Sequence, residues 1–282
     1  MEFYQPETIE QALALLAADP AAMPLAGGAT LVAMLNAELV EPSALISLAG
    51  IEELSAVEAM ADGTLWLGAM ISHADLATEE RLSGGHSVLR QAAAQIAHPS
   101  VRNIGTLGGA VAHGDPSSDL PAALVAADAV IKMASPTGKR SIAAGEFFED
   151  YLTTVLAEGE MVTAVGLPRL PENAVGHYEK FARVHGDYAT LSVALILAMK
   201  GGECSYVSVA LGSAGAKPVR VPEAEARLLG SALDGAAVQD AAQLLSEASD
   251  PVDDVRGSAE YRLMLLPRLL QRALNVAVAC AP

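Results

Sequence analysis

The sequence predicts an α+β protein built as three successive units, two small α/β units followed by a C-terminal α+β unit. Three observations carry this reading. Glycine-rich turns join strand patterns to helix patterns near residues 27–30 and 105–109. The hydrophobic pattern resets near residue 55. Leu170-Pro171-Glu172-Asn173 is a natural linker before long apolar strands. At 282 residues the chain suits two or three modest domains with a sizeable core.

The first unit, residues 1–55, opens with a strand over 2–4 and a helix over 8–18. Thr8 can cap that helix, and Ile9, Leu13, Leu15 and Leu16 approximate one face of it. A strand over 23–26, the turn Gly27-Gly28-Ala29-Thr30, a helix over 31–39 and a strand over 44–47 complete it. The second unit, residues 56–170, has strands expected over 64–69, 129–133 and 162–168. Its helices are expected over 72–80, with Ser72 as N-cap, over 87–96, 120–127 and 143–151. The third unit, residues 175–282, starts with strands over 178–182, 191–199 and 206–212. It continues helically from about residue 222, with 255–279 as one amphipathic helix interrupted near Pro267.

Composition narrows the function. A formal net charge of −17 with scattered Lys and Arg argues against a nucleic-acid surface. Cys204 and Cys280 lie far apart and form no CxxC pair, so an iron–sulfur cluster would need another subunit. The histidines form no HxxxH or HxH set, and no metal site is expected. No apolar run approaches the roughly 20 residues of a membrane helix, and the N-terminus carries no secretory pattern, so the expected compartment is the cytoplasm. There is no Ser–His–Asp order, GxSxG elbow, P-loop or GxGxxG fingerprint.

The informative feature is the pair of turns, Gly27-Gly28-Ala29-Thr30 and Thr106-Leu107-Gly108-Gly109. Each alone reads equally as a tight structural turn. Together they suit a diphosphate held from two sides, because missing Cβ atoms let main-chain N–H groups approach an anion. A dinucleotide is the economical ligand, and a bulky residue at Gly108 is expected to release it. Thr30 can cap a helix or donate to the ligand. Asp119 can cap the following helix or hold a ribose or ribityl hydroxyl. His113 and Asp115 can form a proton-transfer pair or simply a polar turn.

These motifs resemble the FAD-binding medium subunit of the molybdenum hydroxylases, the carbon monoxide dehydrogenase and xanthine dehydrogenase group. The likeness covers nearly the whole chain. It rests on Phe3-Tyr4-Gln5-Pro6, Ala26-Gly27-Gly28-Ala29-Thr30, the segment from Arg102 to Gly109, the segment from Asp115 to Pro121, and Tyr178-Glu179-Lys180-Phe181. The resemblance implies a PCMH-type FAD-binding fold with a carbon monoxide dehydrogenase flavoprotein C-terminal domain. It puts Leu25, Ala26, Gly27, Gly28, Ala29 and Thr30, with Thr106, Leu107, Gly108, Gly109, Ala110 and His113, around FAD. It puts Asp119 at the ribityl region, Lys180 close to the flavin and Tyr188 over the isoalloxazine ring, with a buried core tyrosine as the alternative. No residue is expected to be catalytic. Ala110 stands where many relatives have Asn or Ser, and Gly114 where they often have Ala.

The implied function is an electron-transfer subunit of an oxidoreductase complex. A large subunit would carry the molybdenum cofactor and a small subunit two [2Fe–2S] clusters, in a dimer of heterotrimers. The FAD would pass electrons to an external acceptor. The alternatives are a self-contained flavin oxidase or reductase of the same wider fold, and a non-enzymatic acidic interaction subunit.

Overall fold

The computed structural model describes all 282 residues, and three main β-sheets follow one another along the chain, with a two-stranded ribbon between the last two strands of the second. The first sheet joins β1 (Glu2–Tyr4), β2 (Met23–Leu25) and β3 (Ala44–Ser47), all parallel, in the order β1-β3-β2. Helix α1 (Ile9–Ala18) is capped by the Thr8 hydroxyl, which accepts from the Gln11 N–H at 3.2 Å, and it buries Ile9, Ala12, Leu13 and Leu16. The connection from β2 to β3 carries α2 (Leu31–Asn36), which ends three residues before the expected limit. No residue of α2 is fully buried.

The second sheet is antiparallel throughout. Its strands are β4 (Val57–Ala59), β5 (Leu65–Gly68), β6 (Val130–Ser135), β7 (Gly138–Ala143) and β10 (Met161–Leu167), in the order β4-β5-β10-β6-β7. Between β5 and β6 run five helices: α3 (His73–Thr78), α4 (Ser87–Ala94), α5 (Pro99–Arg102), α6 (Leu107–His113) and α7 (Asp119–Ala126). Ser72 caps α3 through the Asp75 N–H at 3.0 Å. The helix expected over 143–151 is only α8 (Ala144–Phe147). Phe148–Asp150 instead forms β8, paired with β9 (Thr153–Thr154).

The third sheet, β11 (Val175–Phe181), β12 (Leu191–Lys200) and β13 (Glu203–Gly212), is covered on both faces. Along β12 the side chains alternate between two cores. Ala194, Ile196 and Ala198 join the core that contains α4 and α7, while Leu191, Val193, Leu195 and Leu197 join the core under α9 to α11. Burial on both sides explains why this segment reads as a nearly unbroken apolar run rather than as polar–apolar alternation.

Three helices finish the chain: α9 (Pro222–Leu228), α10 (Gly235–Glu247) and α11 (Ala259–Cys280). Contrary to the expected break, α11 runs continuously through Pro267. The proline lies on the exposed face, and burial of Leu266, Leu269 and Leu270 beside it carries the helix past the missing N–H. By length and composition α11 also qualifies as a membrane span. Its buried stripe, however, packs on the third sheet.

Candidate functional site

A cleft of about 440 Å³ lies where the first two sheets meet, and both glycine turns line it. That volume is in the ordinary range for small-molecule and cofactor sites. The two turns touch. A Cβ on Gly27 would stand 1.4 Å from the Ile104 carbonyl oxygen and 3.2 Å from the Gly105 nitrogen, so only glycine permits this approach.

The turns are chemically unequal. None of the N–H groups of Ala26, Gly27, Gly28, Ala29, Thr30 and Leu31 has an acceptor within the chain. Gly28 adopts φ +77°, the left-handed conformation that turns successive amides toward one side. The Thr30 hydroxyl makes no capping bond and stays available to a ligand. Six adjacent donors beside a cleft form a concavity suited to an anion.

At the second turn the corresponding groups are engaged. The Leu107 N–H donates to the Ile71 carbonyl at 2.9 Å and the Gly108 N–H to the Ala69 carbonyl at 2.7 Å. The Gly109 N–H donates to the Thr106 hydroxyl at 3.1 Å, and the Ala110 N–H to the Thr106 carbonyl at 3.0 Å. Gly108 is a glycine because a Cβ there would stand 2.5 Å from Ala69 Cβ. Its role is close packing, which corrects the expectation that its amide approaches a ligand. Of this turn only the Thr106 N–H lacks an acceptor.

Asp119 is the first residue of α7, and its carboxylate does not cap that helix. It accepts from the Tyr178 hydroxyl at 2.6 Å and from Lys180 Nζ at 2.9 Å, while Lys180 also donates to the Gln95 carbonyl at 3.1 Å. The side chains of Asp119 and Lys180 are only 6% and 4% exposed. Burial pushes the Asp119 carboxyl above its ordinary range, against the pull of Lys180 and the Tyr178 hydroxyl. A buried pair of this kind is costly to break because the survivor is left as an unpaired charge.

Of the residues expected at the site, Ala26, Gly27, Gly28, Ala29, Thr30, Thr106, Gly108, Gly109, Ala110, His113, Asp119 and Tyr188 line the cleft. Leu25, Leu107 and Lys180 do not. Leu25 belongs to β2 and packs beside Gly28, Leu107 is fully buried in the central core, and Lys180 lies behind Asp119. Tyr188 is 43% exposed with the Arg256 guanidinium 4.9 Å from its ring centre, which removes the buried-core alternative. Asp115 closes a turn by accepting from the Ser117 N–H at 2.8 Å and makes no bond to His113, so the two do not form a proton-transfer pair.

The cleft also contains residues that carried no sequence signal. Met23, Met34, Ile96, Val101 and Leu156 give it apolar walls, and Asp187 stands next to Tyr188. His73 is the unexpected polar member. It is 6% exposed, its Nδ1 has no partner, and burial lowers its pKa to about 4. A cleft with free amides on one wall and both apolar and hydrogen-bonding side chains on the others suits a ligand that joins a diphosphate and sugar hydroxyls to flat aromatic rings.

This arrangement defines a dinucleotide-binding flavoprotein. Residues 1–170 match the FAD binding domain in molybdopterin dehydrogenase, and residues 176–277 match the CO dehydrogenase flavoprotein C-terminal domain. The chain is 34% identical to the carbon monoxide dehydrogenase medium chain of Afipia carboxidovorans, over 99% of this chain and 97% of that one. It is 35% identical to the 6-hydroxypseudooxynicotine dehydrogenase complex subunit alpha of Paenarthrobacter nicotinovorans, over 96% and 92%. The fold superposes on a Cu,Mo-CO dehydrogenase chain with a TM-score of 0.96 at 34% identity, covering 100% of this chain and 98% of that one. For quinoline 2-oxidoreductase from Pseudomonas putida 86 the TM-score is 0.94 at 32% identity, with the same coverage. The protein therefore belongs to the FAD-binding medium subunits of the molybdenum hydroxylases, as the sequence motifs implied.

Proposed function

We propose that this chain is the electron-relay subunit of a cytoplasmic molybdenum hydroxylase. In this reading a small partner subunit delivers electrons from two [2Fe–2S] clusters. A large partner subunit holds the molybdenum cofactor and oxidises the organic substrate, and the assembly is a dimer of heterotrimers. Bound FAD supplies chemistry that joins one-electron carriers to an acceptor taking two electrons. The observation that carries the reading is the row of free amides from Ala26 to Leu31, in a cleft that the second turn also lines.

This chain's own residues bind and orient. The amides from Ala26 to Leu31 and the Thr30 hydroxyl would hold the diphosphate with neutral dipoles, which the protein sets in place during folding. Asp119, fixed by Tyr178 and Lys180, would accept from a ribityl hydroxyl, and Lys180 would act through Asp119. Tyr188, steadied by Arg256, would cover the isoalloxazine ring. Residues 1–55 and 56–170 would form the two halves of the flavin site. Residues 175–282 would pack against the second half through the shared face of β12. Because β12 is covered on both faces, the C-terminal unit supports a packing role over a separate substrate chamber.

The test is purification of the native assembly with absorption spectroscopy and metal analysis, followed by assay of the isolated chain. The reading expects a yellow complex containing iron and molybdenum, and an isolated chain that binds FAD without oxidising the organic substrate. Substrate oxidation by the isolated chain would make it a self-contained oxidase instead.

A further inference from the structure

His73 opens α3 directly behind the second turn, and its backbone N–H donates to the Gly105 carbonyl at 2.9 Å. The ring lies flush against Gly105. A Cβ there would stand 2.7 Å from Cδ2 and 2.9 Å from Nε2, so the glycine makes room for the imidazole. Gly105 in turn abuts Gly27, which puts the ring one glycine away from the row of free amides. The residue is more than nine-tenths buried yet lines the cleft, and neither ring nitrogen has a protein partner. A buried orphan lone pair is better tolerated than a buried orphan N–H. Sealed Nδ1 is therefore the bare nitrogen, and the proton sits on Nε2.

We propose that His73 is a flavin-binding residue whose neutral imidazole donates from Nε2 to an oxygen of FAD where the two glycine turns meet. The proposal rests on FAD occupying this cleft. Beside His73, the unpartnered Thr106 N–H offers a second donor to the same region. The ligand atom both donors call for is an acceptor oxygen, on either the diphosphate or a sugar chain. A neutral donor suits a site whose other donors are also uncharged. The unpartnered ring would then lose stability only in the flavin-free protein and regain it on binding.

The experiment compares the full-length chain with its His73→Leu and His73→Gln variants. Flavin-free melting temperature and affinity for FAD, ADP and riboflavin are measured for each. Loss of one hydrogen bond to a ligand oxygen predicts about a tenfold weaker FAD affinity for His73→Leu, with recovery in His73→Gln through its amide N–H. The flavin-free His73→Leu protein should melt no lower than wild type, because an unsatisfied polar group has been removed. Parallel loss of ADP affinity assigns the acceptor to the diphosphate half, and loss of riboflavin affinity to the flavin half. Unchanged FAD affinity in a folded His73→Leu protein overturns the proposal, as does an equal fall in melting temperature and affinity in both variants. If His73→Leu does not fold, ¹⁵N-histidine spectra of the wild type decide. The His73 Nε2–H signal, assigned by its absence in His73→Gln, must shift and become protected when FAD is added. An unmoved signal is a refutation. Failure of wild-type protein to bind FAD removes the parent reading as well, and so is distinguishable.

Discussion

The turn from Ala26 to Leu31 and the turn from Thr106 to Ala110 are alike in sequence and opposite in the state of their backbones. In the first, six consecutive amides have no partner. In the second, four consecutive amides are held by Ile71, Ala69 and Thr106. Two glycine-rich turns facing each other thus do different work: one presents donors, and the other builds the wall against which the donors are set. Glycine enters for different reasons too. Gly28 takes a left-handed conformation, whereas Gly108 lets α6 press onto Ala69.

The sharpest way to break this division is Gly27→Val. Its Cβ would overlap the Ile104 carbonyl, so the turns must separate, and FAD affinity should fall more than about 100-fold, at least about 3 kcal/mol. Titration of flavin fluorescence measures it, and near-native affinity would mean the turns need not touch. A pH titration gives the next largest effect. His73 titrates near 4 in the folded chain against about 6.5 when unfolded, so between these values the unfolded chain binds more protons. The contribution of His73 to the stability of the flavin-free protein should therefore fall as pH drops from about 6.5 to about 4, by up to about 3 kcal/mol. Denaturant melts across that window should lose most of this slope in His73→Gln.

Gly108→Ala should lower flavin-free stability by about 1–3 kcal/mol through overpacking against Ala69, while FAD still binds the folded fraction. Selective loss of FAD with unchanged stability would restore a ligand-contacting role for Gly108. The smallest pair of effects is the most discriminating. Thr106→Val removes a cap and should cost about 1 kcal/mol of stability. Thr30→Val removes no bond within the protein and should weaken FAD by about fivefold with stability unchanged.

Local signals in the sequence were legible. Thr8 and Ser72 cap the helices they precede, and the Gly-rich segments do line one cleft. What could not be read was which amides stay free. The Gly108 amide is occupied by the Ala69 carbonyl, 39 positions earlier, a tertiary contact that no local pattern encodes. Asp119 shows the same limit. Its place at a helix start suggested a cap, but Tyr178 and Lys180, about 60 residues onward, claim its oxygens. His73 belongs to no motif, and its character comes entirely from burial beside Gly105. Pro267 reads as a helix breaker until the buried leucines around it are seen against the third sheet.

The central claim, that the two turns divide the labour between donors and wall, is tested most directly by amide hydrogen exchange on the full-length chain with and without FAD. Amides 26–31 should exchange freely in the flavin-free protein and become protected on FAD addition, while amides 107–110 should be protected in both states. Protection appearing at 107–110 only with FAD, and none at 26–31, would contradict the account.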